Sequence, residues 1–214
     1  MSSSHEPGPR RRGRGRPRGG GGPQTRERIL AAAADVFAEN GYRATTMLAV
    51  SEAARLSQTG LAHHFPDKEL LLAAVLDRRD RLDAEALGPF TGRGWDGFDR
   101  LLRLVEHNTG QPSIVRLFAA LEAEAVDTSH PAHPWLVEHH QRVVERVRVS
   151  LAEAVADGEA RPEVPVGRVA RLTIAVMDGL QVQWLMDPEG VDMAGDFAAY
   201  LAALKSRWAV PASP

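Results

Sequence analysis

The residues whose types and spacing could do chemistry here are hydrogen-bonding groups, not nucleophiles. Gln58, Thr59, Gly60, Ala62, His63 and His64 are each small or able to hydrogen-bond, and none is acidic. Such a run can enter a DNA major groove, where acids would meet phosphate repulsion and bulk would prevent close approach. Arg14 and Arg16 flank Gly15 ahead of Pro17. Extended Arg side chains on either side of a Gly suit the concentrated negative potential of an A·T minor groove; the alternative is a basic tail that only raises affinity. His130, His133, His139 and His140 invite a metal reading, but no carboxylate stands at helical spacing to two of them and cysteine is absent, so no metal is expected. With no nucleophile elbow, no HExxH and no phosphate-cradling Gly loop, no catalytic residue, enzyme activity or cofactor is expected either.

The elements that must position the 58–64 run are short and closely spaced. Met47, Val50, Ala53 and Ala54 fall at the spacing of one buried helix face. Ser57 has the chemistry of a helix N-cap, and Leu61 and Phe65 give the following helix a buried stripe. Only Arg55 and Leu56 lie between the two helices, a connection of helix-turn-helix length; the bland alternative is an ordinary αα-hairpin. Asp67, after Pro66, caps a third helix. Ahead of all this, residues 25–40 predict a supporting helix with Ile29, Leu30, Ala33, Val36 and Phe37 inside, stopped by Gly41 as a left-handed cap.

Read together, TRERILAAAADVFAENGYRATTM and VSEAARLSQTGLAHHFPDKELLLAAV resemble the N-terminal domain of the tetracycline-repressor (TetR) family of bacterial regulators. The landmarks include Phe37, Gly41, Thr45, Thr46, Val50, Leu56, Ser57, Leu61, His64, Phe65 and Lys68. The resemblance implies a DNA-binding set of Thr46, Ser57, Gln58, Thr59, Gly60, His63, His64 and Lys68, with Arg14 and Arg16 added from the arm and Lys68 as a phosphate clamp. Two positions depart from the family pattern. Arg55 stands where Gly is usual, which costs about 1 kcal/mol if that backbone is left-handed. Ala62 stands where a phosphate-reaching Tyr is usual, which shifts weight onto His63.

Composition bounds the rest. The chain has 214 residues, 43% hydrophobic and 25% charged, with no cysteine, ordinary for a globular protein. No apolar run is long enough to span a bilayer, and a cytoplasmic location is expected. The formal charge of −2 hides an asymmetry: six arginines against Glu6 give residues 1–24 a charge of +5, leaving −7 for the remainder. Attraction to nucleic acid is thus concentrated at one end.

The expected fold is all-α with about nine helices: a disordered basic arm (1–24), a three-helix DNA-binding domain with a helix-turn-helix (25–70), and a helical ligand-binding and dimerisation domain (71–214). Helices are predicted over about 67–87, 95–109, 114–125, 135–157, 164–186 and 191–208. Arg78, Arg79 and Arg81 read as a solvated face, and Leu70, Leu71, Ala74 and Val75 as the join to the first three helices. By resemblance, a small-molecule pocket should draw on Leu101, Leu104, Phe118, Glu122, Trp135, His139, Met177 and Gln181. The 164–186 helix is apolar on more than one face and must be covered twice. From this a homodimer interface is expected at Val169, Val176, Trp184, Phe197, Leu201 and Leu204. The expected function is a repressor that binds a palindromic double-stranded operator as a homodimer and is released by a small molecule, with no membrane partner. The alternatives are an architectural or activating DNA binder without an inducer, and a small enzyme with a vestigial DNA head.

Overall fold

The computed structural model describes residues 22–88 and 93–211. Among them the chain forms nine helices: α1 (Pro23–Ala44), α2 (Met47–Ala53), α3 (Gln58–His64), α4 (Lys68–Leu87), α5 (Asp96–Thr109), α6 (Pro112–Glu124), α7 (His133–Ala156), α8 (Val166–Met186) and α9 (Met193–Trp208). The boundaries follow local chemistry. Thr46, Ser57 and Asp67 each accept a hydrogen bond from the backbone N–H three residues on, at Ala49, Gly60 and Leu70. Each cap satisfies a donor that the first turn leaves orphaned.

Helix α1 is broken at Gly41, whose φ of 73° and ψ of 169° lie outside the helical region. Helix α2 ends where Arg55 takes φ 55°. The Leu56 N–H returns to the Ser51 carbonyl at 2.8 Å and the Arg55 N–H to the Glu52 carbonyl at 3.0 Å. This paired closure is the Schellman arrangement, which favours Gly at the left-handed position. Arg55 therefore does carry the strain expected of it.

Two cores hold the molecule. One gathers Ile29, Leu30, Phe37, Val50, Leu61, Phe65, Leu71, Leu72, Val75 and Leu76 from α1–α4, and also takes in Leu117, Phe118 and Leu121 of α6 and Leu136 of α7. The other joins α5, α7, α8 and α9 around Phe98, Leu101, Leu151, Ile174 and Phe197. Helix α4 thus enters the core of the N-terminal three-helix unit beyond residue 70, and α6 is shared between the two halves. Three side chains differ from the sequence expectation. Leu70 is exposed and Leu71 alone of that pair turns inward; Ala53 is exposed, with Ser51 buried in its stead; and Arg79 is buried. The exposed and buried sides of α2 and α4 are thus rotated slightly from where apolar spacing places them, because tertiary packing decides which edge of a stripe is covered.

Candidate nucleic-acid interface and ligand cavity

Helix α3 stands at the surface. Gln58, Thr59, Ala62 and His63 are exposed, Gly60 and His64 half-buried, while Leu61 and Phe65 anchor the helix from beneath. Its cap explains one glycine: a Cβ on Gly60 would sit 3.2 Å from Ser57 Oγ, crowding the hydroxyl that accepts the Gly60 N–H. The rings of His63 and His64 meet edge to face at 5.8 Å. Thr46 is exposed at the start of α2, its hydroxyl accepting from Ala49 and retaining its own proton to donate. Arg14 and Arg16 lie outside the described residues.

Lys68 has a different engagement from a free phosphate clamp. Its ammonium donates to the carbonyls of Tyr42 (2.8 Å), Thr45 (2.9 Å) and Arg43 (3.4 Å), and sits 4.3 Å from the centre of the Tyr42 ring. All three of its donors are thus directed at the end of α1, where carbonyls lack intrahelical partners. Lys68 fastens α4 to α1 and sets the attitude of the head.

The same corner ties head to body. The Glu124 carboxylate, at the end of α6, accepts from the Tyr42 N–H at 3.3 Å and lies 3.3 Å from His130 Nε2. His130 is buried, edge-on to Tyr42 at 4.8 Å, with Nδ1 accepting from the Ala132 N–H. Arg43 pairs with Asp127 at 2.6 Å. Gly41 makes the approach possible, since a Cβ there would collide with Glu124 Oε1.

Behind this corner lies a cavity of about 300 Å³ between α4 and the helices of the body. Of the pocket residues expected from sequence, Leu101, Leu104, Phe118, Glu122, His139, Met177 and Gln181 line it. Trp135 does not. Its ring packs edge-on to Phe118 and stacks on His139 at 4.8 Å, backing the wall from outside. Sequence reading missed most of the charged lining: Arg79, Asp80, Asp83, Arg100 and Arg142. Arg79 lies 3.6 Å over the Phe118 ring and 3.3 Å from Asp83. The buried cation thus has an aromatic face and a carboxylate for partners; the i, i+4 spacing of Arg79 and Asp83 was the available signal.

At the other end, Glu122, His140 and Asp178 converge. Burial, and then the neighbouring Glu122 charge, push the Asp178 carboxyl up to about 7. A hydrogen bond to Glu122, ahead of the opposing cost of burial, raises the His140 imidazole above its ordinary value. Of the four histidines weighed for metal, His130 and His133 serve the head seam and the Ala125 carbonyl, whereas His139 and His140 face the cavity.

Of the six residues expected at a dimer interface, four are enclosed within the subunit. Val169, Trp184, Phe197 and Leu201 are buried, and Val176 and Leu204 are half-buried against the body core. The uncovered stripe of α8 is another one: Leu172, Ala175, Val182 and Met186 are exposed and Gly179 half-exposed. The inner stripe is occupied because α6, α7 and α9 already cover it.

This geometry has relatives. The model of the bacterial regulatory proteins of the tetR family matches residues 29–75, and that of the BetI-type transcriptional repressor C-terminal domain matches residues 99–206. The chain belongs to the TetR family. This TetR-family chain is 29% identical over 185 residues to the HTH-type transcriptional regulator UidR of Escherichia coli (strain K12), covering 84% of this chain and 90% of UidR. It is 26% identical over 155 residues to the HTH-type transcriptional repressor AcnR of Corynebacterium glutamicum, covering 72% and 79%. The solved SmeT–triclosan complex has the same fold, with a TM-score of 0.74 at 19% identity over 89% of this chain and 96% of SmeT. The TetR-family assignment makes this a DNA-binding transcriptional regulator and not an enzyme. No described helix is long and apolar enough to cross a membrane.

Proposed function

We propose that this regulator is a cytoplasmic repressor that grips a palindromic operator as a homodimer and lets go when a small molecule enters the cavity. The observation that carries the reading is the double duty of α6: Glu122 faces the cavity, while Glu124, two residues on, holds the Gly41–Tyr42 corner of the head. An occupant that fits only one setting of α6 and α4 biases the attitude of α3, by no more than its difference in affinity for the two settings. Gln58, Thr59 and His63 would meet base edges, with Thr46, Ser57 and Gly60 at the backbone and Arg14 and Arg16 following the adjacent minor groove. SmeT, a protein of this fold, is solved in complex with triclosan, which supports a small-molecule effector here.

For pairing, the exposed stripe of α8 repeats at the three- and four-residue spacing that seats one helix against another. Beside it α9 presents Ala199, Ala202 and Ala203, all exposed and small enough for close approach. Two heads must then stand about 34–36 Å apart to reach successive major grooves.

Fluorescence anisotropy tests the reading, with a labelled fragment from beside the protein's own gene. The fragment should bind far more tightly than random DNA, and an unrelated palindrome should compete no better than random sequence. Equal affinity for all three would end the proposal.

A further inference from the structure

The acidic end of the cavity holds a donor set that an apolar effector would not use. Glu122 from α6, His140 from α7 and Asp178 from α8 each bring one ligand atom to a common point, and these atoms lie within 4.8 Å of one another. His140 Nε2 and Glu122 Oε1 are 3.3 Å apart. Metal–oxygen and metal–nitrogen bonds of about 2.0–2.2 Å place two donors on a tetrahedral ion roughly 3.3–3.5 Å apart. One edge is therefore already of the right length, and rotation of the Asp178 carboxylate can shorten the others.

We infer that Glu122, His140 and Asp178 bind a divalent transition-metal ion, with a remaining coordination position open to the cavity. Two carboxylates and an imidazole without thiolate suit Mn²⁺, Fe²⁺, Co²⁺, Ni²⁺ or Zn²⁺ over Cu⁺. Asp178 sits beside the Glu122 carboxylate, and a dication between them would relieve the repulsion of two like charges. An organic ammonium would have to compete with His140 for Glu122, whereas a metal ion takes all three side chains as ligands at once. Gln181 supplies an independent sign of an occupant. It is 7% exposed, lines the cavity one turn beyond Asp178, and makes no hydrogen bond among the described residues. Its amide is open to the cavity, in the space where a metal-bound water or an effector donor atom would lie.

Because the three ligands come from α6, α7 and α8, an ion would cross-link the cavity walls and fix the helix that carries Glu124. This deepens the effector reading of the same cavity. Ion binding is measured without DNA, however, so either can fail while the other stands.

The test is a titration of the full-length, EDTA-stripped protein with Co²⁺. One ion per chain should bind and produce the visible ligand-field bands of a low-coordinate site, displaced by Zn²⁺. Glu122→Gln and Asp178→Asn should each weaken binding at least tenfold with the helical circular dichroism retained, whereas His133→Gln should not. Should a ligand variant fail to fold, crystals of the unaltered protein soaked in Co²⁺ decide the matter: an anomalous-difference peak among the three side chains is the expected result. Absence of stoichiometric Co²⁺ binding would overturn the assignment. So would bands that persist in both ligand variants but vanish in His63→Gln, or uptake of tetramethylammonium without Co²⁺.

Discussion

Replacing Gly41 with alanine tests the head–body corner directly. The glycine has φ 73° and ψ 169°, a combination open almost only to glycine, and any other residue there is strained by about 1–3 kcal/mol. The new Cβ would also fall against Glu124 Oε1, inside van der Waals contact. Moving that carboxylate breaks its bond from the Tyr42 N–H, and a hydrogen bond to a charged group contributes about 1.5–3 kcal/mol. The sum, about 2.5–6 kcal/mol, corresponds to a fall in Tm of roughly 5–24 °C for a chain this size. Circular-dichroism melts at one fixed protein concentration give the number. The same change is then made in a Glu124→Ala background, where neither collision nor bond remains. There the cost should shrink to the backbone strain alone, with a coupling of about 1.5–3 kcal/mol between the sites. An equal loss in both backgrounds would refute the role given to Glu124, and a loss below about 1 kcal/mol would refute the backbone argument as well.

Arg55→Gly should raise stability by about 0.5–1 kcal/mol, measured as a higher urea midpoint, because the left-handed position at the end of α2 then costs no Cβ strain; a lower midpoint would count against it. The double change Leu172→Asp and Val182→Asp, on the exposed stripe of α8, should convert a sedimenting dimer into a folded monomer, whereas an unchanged sedimentation coefficient would place the interface elsewhere. Asp178 ordinarily titrates near 3.8 but at about 7 in the folded chain, so between those values the native state holds a proton the unfolded state has released. Stability of the metal-free protein must then fall as pH rises from about 4 to 7. Asp178→Asn should remove that fall, matching the parent below pH 4 and exceeding it at pH 8 by an amount on the order of a few kcal/mol in urea titrations.

The parts of this molecule legible in the sequence are those fixed by near neighbours. The Thr46, Ser57 and Asp67 caps act over three residues, and the Arg55 turn is set by the chain around it, so residue type and spacing suffice. The small, acid-free α3 surface is legible for the same reason. Lys68 was not: its partners are carbonyls more than twenty residues away, and a cation read in isolation looks available to phosphate. Helix α8 shows two apolar stripes, but periodicity cannot say which one α6, α7 and α9 will occupy, and at Val169 and Trp184 the inner one was taken for the outer. In the cavity, apolar candidates were found because amphipathic helices advertise their inner faces. Arg79, Asp80 and Asp83 were missed because charges at helical spacing usually denote a solvated face. The meeting of Glu122, His140 and Asp178 belongs to three separate helices and exists only once they pack.

Helix α6 ends with Glu122 turned to the chamber and Glu124 turned to the Gly41 notch. Side chains two positions apart on such a rod point roughly 200° apart while differing by only about 3 Å in height. Any roll that leans the first toward a guest swings the second out of its seat, so the two compartments are geared in opposition through a single turn of backbone. The remaining walls of the chamber are then free to change as the preferred guest changes, provided this one turn keeps both of its acids.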